Sequence, residues 1–230
     1  MLPASQGSFI FSMKLFVKLT AIVLMLLIGV AALAYFIWYQ PKFKVTKTSF
    51  RSTVIKTNDD KLELTRLKEK GTLLKTYINK NRFNPSVCFI IDMRIASGKK
   101  RFFVYDLVKD SIERAGLVTH GSGSSQGDSL VFSNIPESKC SSIGKYKIGK
   151  PYNGKFGLAY KLYGLDSTNS NVFRRFVVLH SHSCVPENEV APLPICESYG
   201  CPTVSPAYLN VLATYIDNSK EPILLYIFYK

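Results

Sequence analysis

Apolar residues change their rhythm twice along this chain. Positions 19–39, LTAIVLMLLIGVAALAYFIWY, carry no charge and match the roughly 20 residues a helix needs to cross a bilayer. Between residues 42 and 82 the apolar positions thin to a patchy helical pattern through Leu62, Leu64, Leu67, Leu73 and Leu74, set among lysines. From Pro85 the texture becomes short β-type runs, at 87–93, 101–107, 114–120, 157–163 and 173–180, parted by glycine, serine and asparagine turns. Ser205 and Pro206 read as a helix N-cap and first helical residue, after which Tyr208, Leu209, Leu212, Tyr215 and Ile216 share one face. The last run, PILLYIFY at 222–229, is far too short for a second span and predicts a buried strand. The pattern therefore predicts a mainly β domain with one or two short helices, preceded by an N-terminal membrane span.

Three regions follow: a transmembrane anchor or signal segment over 1–40, a basic stalk or helical linker over 41–83, and a folded domain over 84–230. Ala32-Leu33-Ala34 would suit cleavage of a secretory signal, whereas the aromatic cluster of Tyr35, Phe36, Trp38 and Tyr39 suits an uncleaved anchor in the membrane through residues 19–39. Lys42, Lys44, Lys47 and Arg51 outnumber the basic residues before the span, so charge does not set its orientation. The 30 Lys and Arg against 16 Asp and Glu give a net charge of +14, which favours polyanions such as an acidic wall polymer or anionic lipid. No helix-turn-helix, zinc-finger or RNP pattern accompanies it, so no nucleic-acid partner is expected.

Chemistry concentrates in residues 180–206, HSHSCVPENEVAPLPICESYGCPTVSP, which hold two of three histidines and three of five cysteines. His180, His182, Cys184, Cys196 and Cys201 are zinc-competent, but eleven and four residues separate the cysteines, unlike the tighter knuckles of structural zinc sites. A Cys184–Cys196 disulfide around Pro186, Pro192 and Pro194 is the stronger structural reading, with Cys140 a competing partner. Cys88, in VCFIID, reads as a small buried hydrophobe. Cys201 follows a glycine and precedes a capped helix, where free N–H groups and the helix dipole lower a thiol pKa. His180 ends the run FVVLH, a firm mount for a general base; His182, two residues on, is an alternative.

His180-Ser181, followed after sixteen residues by Ser198-Tyr199-Gly200-Cys201, resembles the H-[GS]-x(14–17)-[ST]-x-G-C signature of the YkuD-like L,D-transpeptidases. IDMRIASGKKRFFVYDL, THGSGSS, FSN, SSIGKYKIG and GLAYKLYGLD, in that order, are similar to the murein L,D-transpeptidase catalytic-domain branch. This chain departs from many members in having Tyr199 where they have histidine or tryptophan, and Pro202 and Thr203 where they have arginine or asparagine. The insert between His182 and Ser198 is also long and proline-rich.

The resemblance implies a YkuD-like β-sandwich catalytic domain over 84–230. It makes Cys201 the nucleophile, His180 its base, and the backbone carbonyl of Ser181 the group that orients the imidazole. The N–H groups of Tyr199, Gly200 and Cys201 would form the oxyanion hole, with Ser198 bracing the turn and His120 contacting substrate or lining the cleft. No cofactor or metal is implied. The implied partners are peptidoglycan stem peptides and carbapenem-type inhibitors. The implied reaction is thioester formation with a donor stem, then transfer to an amine for a 3→3 cross-link, to water in an L,D-carboxypeptidase, or to a lipoprotein amine. Such a substrate places the domain in the periplasm, anchored to the inner membrane or secreted. A non-catalytic wall-binding or metal-binding envelope module is the rival class.

Overall fold

The structure, a computed structural model, describes residues 6–35, 37, 58–127 and 129–230. It divides into two compact units, Met1–Ile55 and Lys56–Lys230. In the first, α1 spans Gln6–Ala34. Among the described residues no helix is long and apolar enough to cross a membrane. The span expected over 19–39 is therefore not supported by the described residues, since α1 covers only 19–34 of it. Positions 36, 38 and 39 lie outside the described residues.

In the second unit the segment expected as a stalk forms, in its later part, α2 (Asn58–Asn81); residues 41–57 lie outside the described residues. This helix is no free linker, because Leu67, Leu74 and Ile78 are buried in one cluster with Cys88, Ile90, Phe103 and Tyr105. Each such burial stabilises by about 1.5–3 kcal/mol. Arg66 fixes the register by donating from Nε and Nη2 to Oδ2 of the fully buried Asp92, at 3.0 and 2.8 Å.

Ten strands follow: β1 Val87–Asp92, β2 Phe102–Asp106, β3 Ser111–Gly116, β4 Ser125–Gln126, β5 Ser129–Leu130, β6 Gly144–Gly154, β7 Gly157–Gly164, β8 Val178–Ser181, β9 Thr203–Val204 and β10 Leu224–Phe228. Eight form one sheet in the order β3-β2-β1-β10-β6-β7-β8-β9, and β4 and β5 make a separate pair. Alternation along β1 shows how the sheet is used: Phe89 and Ile91 enter the main core, Cys88 and Ile90 the cluster under α2. Cys88 is thus the buried hydrophobe its context predicted, and burial pushes its thiol up to about 12.

Instead of two separate sheets, hydrogen bonds link all eight strands, and a bridge from Val118 to Val204 ties the segment leaving β3 to β9 at the far end of the order. Strands from β2 through to β9 in that order share one core with α3 (Pro206–Asp217), which contributes Tyr208, Leu209 and Leu212. The Ser205 side chain accepts from the Tyr208 N–H and caps α3 as expected.

One expected run is corrected, and one strand went unpredicted. The run 173–180 is strand only from Val178, since Asn171–Val177 is wound into turns by Arg175 N–H to Asn171 O, Phe176 N–H to Phe173 O and Val177 N–H to Val172 O. The eleven-residue β6 had no counterpart in the apolar pattern, because only Tyr146 and Ile148 face the core among lysines, glycines and a proline.

Candidate active site

Parallel pairing sets His180 of β8 beside Thr203 of β9, which places Cys201 two residues before β9 and close to the start of β8. The Val178 N–H reaches the Cys201 sulfur at 3.5 Å, and the thiol points to Phe176 O at 3.9 Å. The turn that delivers the cysteine is tied down from several sides. Ser198 Oγ donates to Cys201 O at 2.7 Å and accepts from the Gly200 N–H at 3.2 Å, and Thr119 Oγ1 donates to the same carbonyl at 3.2 Å. Gly200 sits at φ +109°, where a Cβ would lie 2.6 Å from Cys140 O, so no L side chain fits. Ser198 therefore braces the turn, and in this state it holds the Gly200 N–H. Tyr199 is exposed, with Lys139 Nζ 5.1 Å from its ring centre.

The His180 imidazole makes two directed contacts. Nδ1 lies 3.0 Å from Ser181 O, and since a carbonyl only accepts, Nδ1 carries the proton. Nε2, left with its lone pair, then accepts from Thr203 Oγ1 at 3.0 Å. Phe156, at the tip of the β6–β7 hairpin, stacks on the ring at 5.2 Å and 16° and meets His182 edge-on at 5.1 Å. His182 is turned to another task, its Nδ1 accepting from the Cys184 N–H at 3.1 Å.

Burial holds His180 below the ordinary 6.5, aided by His182 and opposed by the Ser181 carbonyl. Burial likewise raises the Cys201 thiol above 9.0, outweighing the Val178 N–H and the charge of Arg175. The lowered thiol pKa expected from the helix dipole is thus absent: the cap of α3 is at Ser205, four residues on, and desolvation dominates. Arg175 is fixed by donating to Ser133 O at 2.8 Å and Cys140 O at 2.5 Å.

His120 is buried in a polar chain. The buried Arg101, which only donates, lies 2.9 Å from its Nδ1, so His120 carries its proton on Nε2 and gives it to Ser125 Oγ at 2.9 Å. Ser125 in turn donates to Glu197 in a short bond. Burial and Arg101 hold His120 below the ordinary 6.5. Cys184 and Cys196 are joined as a disulfide, which removes both sulfurs as metal ligands, while Cys140 is a buried free thiol. Among the described residues no group of three or more His, Cys, Asp or Glu side chains could hold a metal ion.

A cavity of about 310 Å³ brings the parts together; Phe156, His180, His182, Glu197, Ser198, Tyr199, Cys201 and Thr203 are among its lining residues. His120 lines a neighbouring cavity instead. Phe156, Arg101, Arg175 and Glu197 were not singled out from sequence, and Thr203 was noted only as a departure from the family pattern. Thr203, two residues past the cysteine and at the start of a β-branched pair, carried a signal in its spacing; the others depend on loop placement.

No curated protein matches the chain. Among solved structures, it is similar to the Ldtfm–avibactam carbamoyl enzyme (10% identity, TM-score 0.40, covering 63% of this chain and 49% of that one). It is also similar to the helical cell shape determining protein Pgp2 from Campylobacter jejuni (12%, 0.40, 63% and 48%) and to the L,D-transpeptidase, residues 123–326, from Xylanimonas cellulosilytica (14%, 0.36, 66% and 68%). The chain spans about half the length of the first two. A family model described as the L,D-transpeptidase catalytic domain matches residues 58–228, taking in α2, the sheet and the Cys201–His180 cavity, and the chain belongs to that family.

Proposed function

We propose that this protein is a cysteine-dependent murein L,D-transpeptidase, which forms a thioester with a peptidoglycan stem peptide and passes the acyl group to an amine, making a 3→3 cross-link. The observation that supports it most is that Cys201 and His180 open on one cavity, with the imidazole's protonated nitrogen committed to Ser181 O and Nε2 left basic. A stem carbonyl entering there meets the thiol. As the Thr203 hydroxyl yields Nε2, the thiol proton passes to His180, sulfur bonds to the carbonyl carbon, and the oxyanion is met by the N–H groups of Tyr199 and Cys201, joined by Gly200 once Ser198 releases it. Collapse breaks the C–N bond to the terminal D-alanine, which leaves as an amine with the proton from His180.

The reading sets the domain outside the inner membrane, where stem peptides are, and extends to carbapenem-type inhibitors, whose strained carbonyl would acylate Cys201. The test is muropeptide conversion by wild type, Cys201→Ser and Cys88→Ser. Loss of transfer in the first variant and retention in the second is expected. Equal turnover by Cys201→Ser and wild type would end the proposal.

A further inference from the structure

Beside the Cys201 cavity lies a second, of about 620 Å³, whose lining includes Arg94, Arg101, His120, Ser125, Cys196 and Glu197. Glu197 lines both. It is the only carboxylate among the residues lining the Cys201 cavity, where the remaining lining is neutral or aromatic. Its position is built. Oε1 accepts from Ser125 Oγ and lies 3.5 Å from His120 Nε2, His120 is fixed by the buried Arg101, and the neighbouring Cys196 is pinned by the disulfide to Cys184. A carboxylate at 38% side-chain exposure, on the wall between two cavities of a chain carrying +14, has one chemistry to offer an incoming group: it attracts and orients a cation.

We infer that Glu197 is the specificity residue for the second substrate: from its wall of the Cys201 cavity, which no arginine or lysine lines, it holds the ammonium of an amine-bearing acceptor and presents its nitrogen to the thioester on Cys201, favouring aminolysis over hydrolysis. The inference rests on the transpeptidase reading. The ammonium releases one proton to solvent, and the neutral amine forms the C–N bond as the C–S bond breaks. The amine's second proton passes through His180 to the leaving sulfur. Glu197 makes no bond to the acyl group, so its effect is read on the second half-reaction, from acyl-enzyme already formed.

The experiment uses the full chain with a disaccharide-tetrapeptide as donor and acceptor, and hydroxylamine, mostly uncharged at neutral pH, as a neutral nucleophile. Intact mass reports acylation of Cys201, and chromatography reports the ratio of cross-linked to hydrolysed product. Compared on acyl-enzyme already formed, Glu197→Gln should show a ratio of cross-linked to hydrolysed product about tenfold below wild type and a clearly smaller loss toward hydroxylamine; Glu197→Asp should recover part of the tenfold loss. An unchanged ratio in Glu197→Gln would overturn the inference, and so would an equal loss toward hydroxylamine, which would mark a general disturbance of the site. Should glutamine cost the fold, the wild-type acyl-enzyme and a simple alkyl diamine decide. Its attack should slow as salt rises, because screening weakens an attraction; acceleration by salt would mean that repulsion from the +14 surface governs the approach. Failure of the wild type to acylate at all would refute the transpeptidase reading and the inference together, a result distinct from normal acylation with an unchanged product ratio.

Discussion

Replacing Arg101 by methionine should cost more stability than any exposed substitution, and the structure gives the amount. The side chain is 1% exposed and serves three buried acceptors: Val118 O at 3.0 and 2.8 Å, Ile95 O at 3.1 Å and His120 Nδ1 at 2.9 Å. Burial pushes its pKa down to about 10, with Asp92 opposing, so it remains charged at neutral pH. Each acceptor left dry costs about 1–3 kcal/mol. Local relaxation and the saved desolvation of the guanidinium offset part of the sum, leaving a net loss of about 3–5 kcal/mol, a large share of the roughly 5–15 kcal/mol of a typical domain. Val118 also bridges Val204, next to the Thr203 that bonds His180, so the loss reaches the site. Urea unfolding should show a lower midpoint with unchanged slope, and the folded fraction should acylate more slowly; Arg101→Lys, with fewer donors in poorer positions, should fall between. A loss under about 1 kcal/mol at constant slope would refute the claim that these acceptors depend on Arg101.

Other outcomes follow from single contacts. His180 is held below 6.5, so its base form persists at that pH, and acylation should fade only as acid charges the ring below it. Thr203→Val removes the donor that favours neutral Nε2, so the acid limb should move upward and the rate at mildly acidic pH fall by about fivefold, the effect of a bond of about 1 kcal/mol; a stationary limb contradicts this. Gly200→Ala forces a side chain onto Cys140 O at φ +109° and should abolish acylation and lower the melting temperature; near-normal acylation would contradict the turn's role. Replacing Cys184 and Cys196 by alanine should lower stability by about 3 kcal/mol, the scale for closing a short loop, and a chemical unfolding curve unaltered by the pair would contradict it.

Short continuous apolar runs announced β1, β2 and β10 because those strands are buried on both faces. The Ser-Pro start announced α3 because a cap is local chemistry. β6 escaped notice, since one of its faces is solvated and its register is set by neighbours. α2 read as a stalk although Leu67 and Leu74 stood in its helical pattern, because its lysines obscure the face that those two form with Ile78 and that the sheet completes. At the site, the spacing from His180 to Cys201 was legible, and the family resemblance pointed to the Ser181 carbonyl that His180 Nδ1 contacts. The sign of the thiol shift was not legible: helix dipole and burial push in opposite directions, and burial is decided by the turn formed by residues 171–177. Glu197 was invisible as a functional residue, because its position depends on the insert's path and on the chain from Arg101 through His120 and Ser125.

The most direct test of Cys201 as a nucleophile is intact mass spectrometry of the full chain after incubation with a carbapenem, followed by peptide mapping. One adduct per chain on Cys201, lost in Cys201→Ser and greatly slowed in His180→Ala, is the expected result. A chain that stays unmodified with its Cys201 thiol free and the fold intact, or an adduct that maps to Cys140 or Cys88, would contradict it.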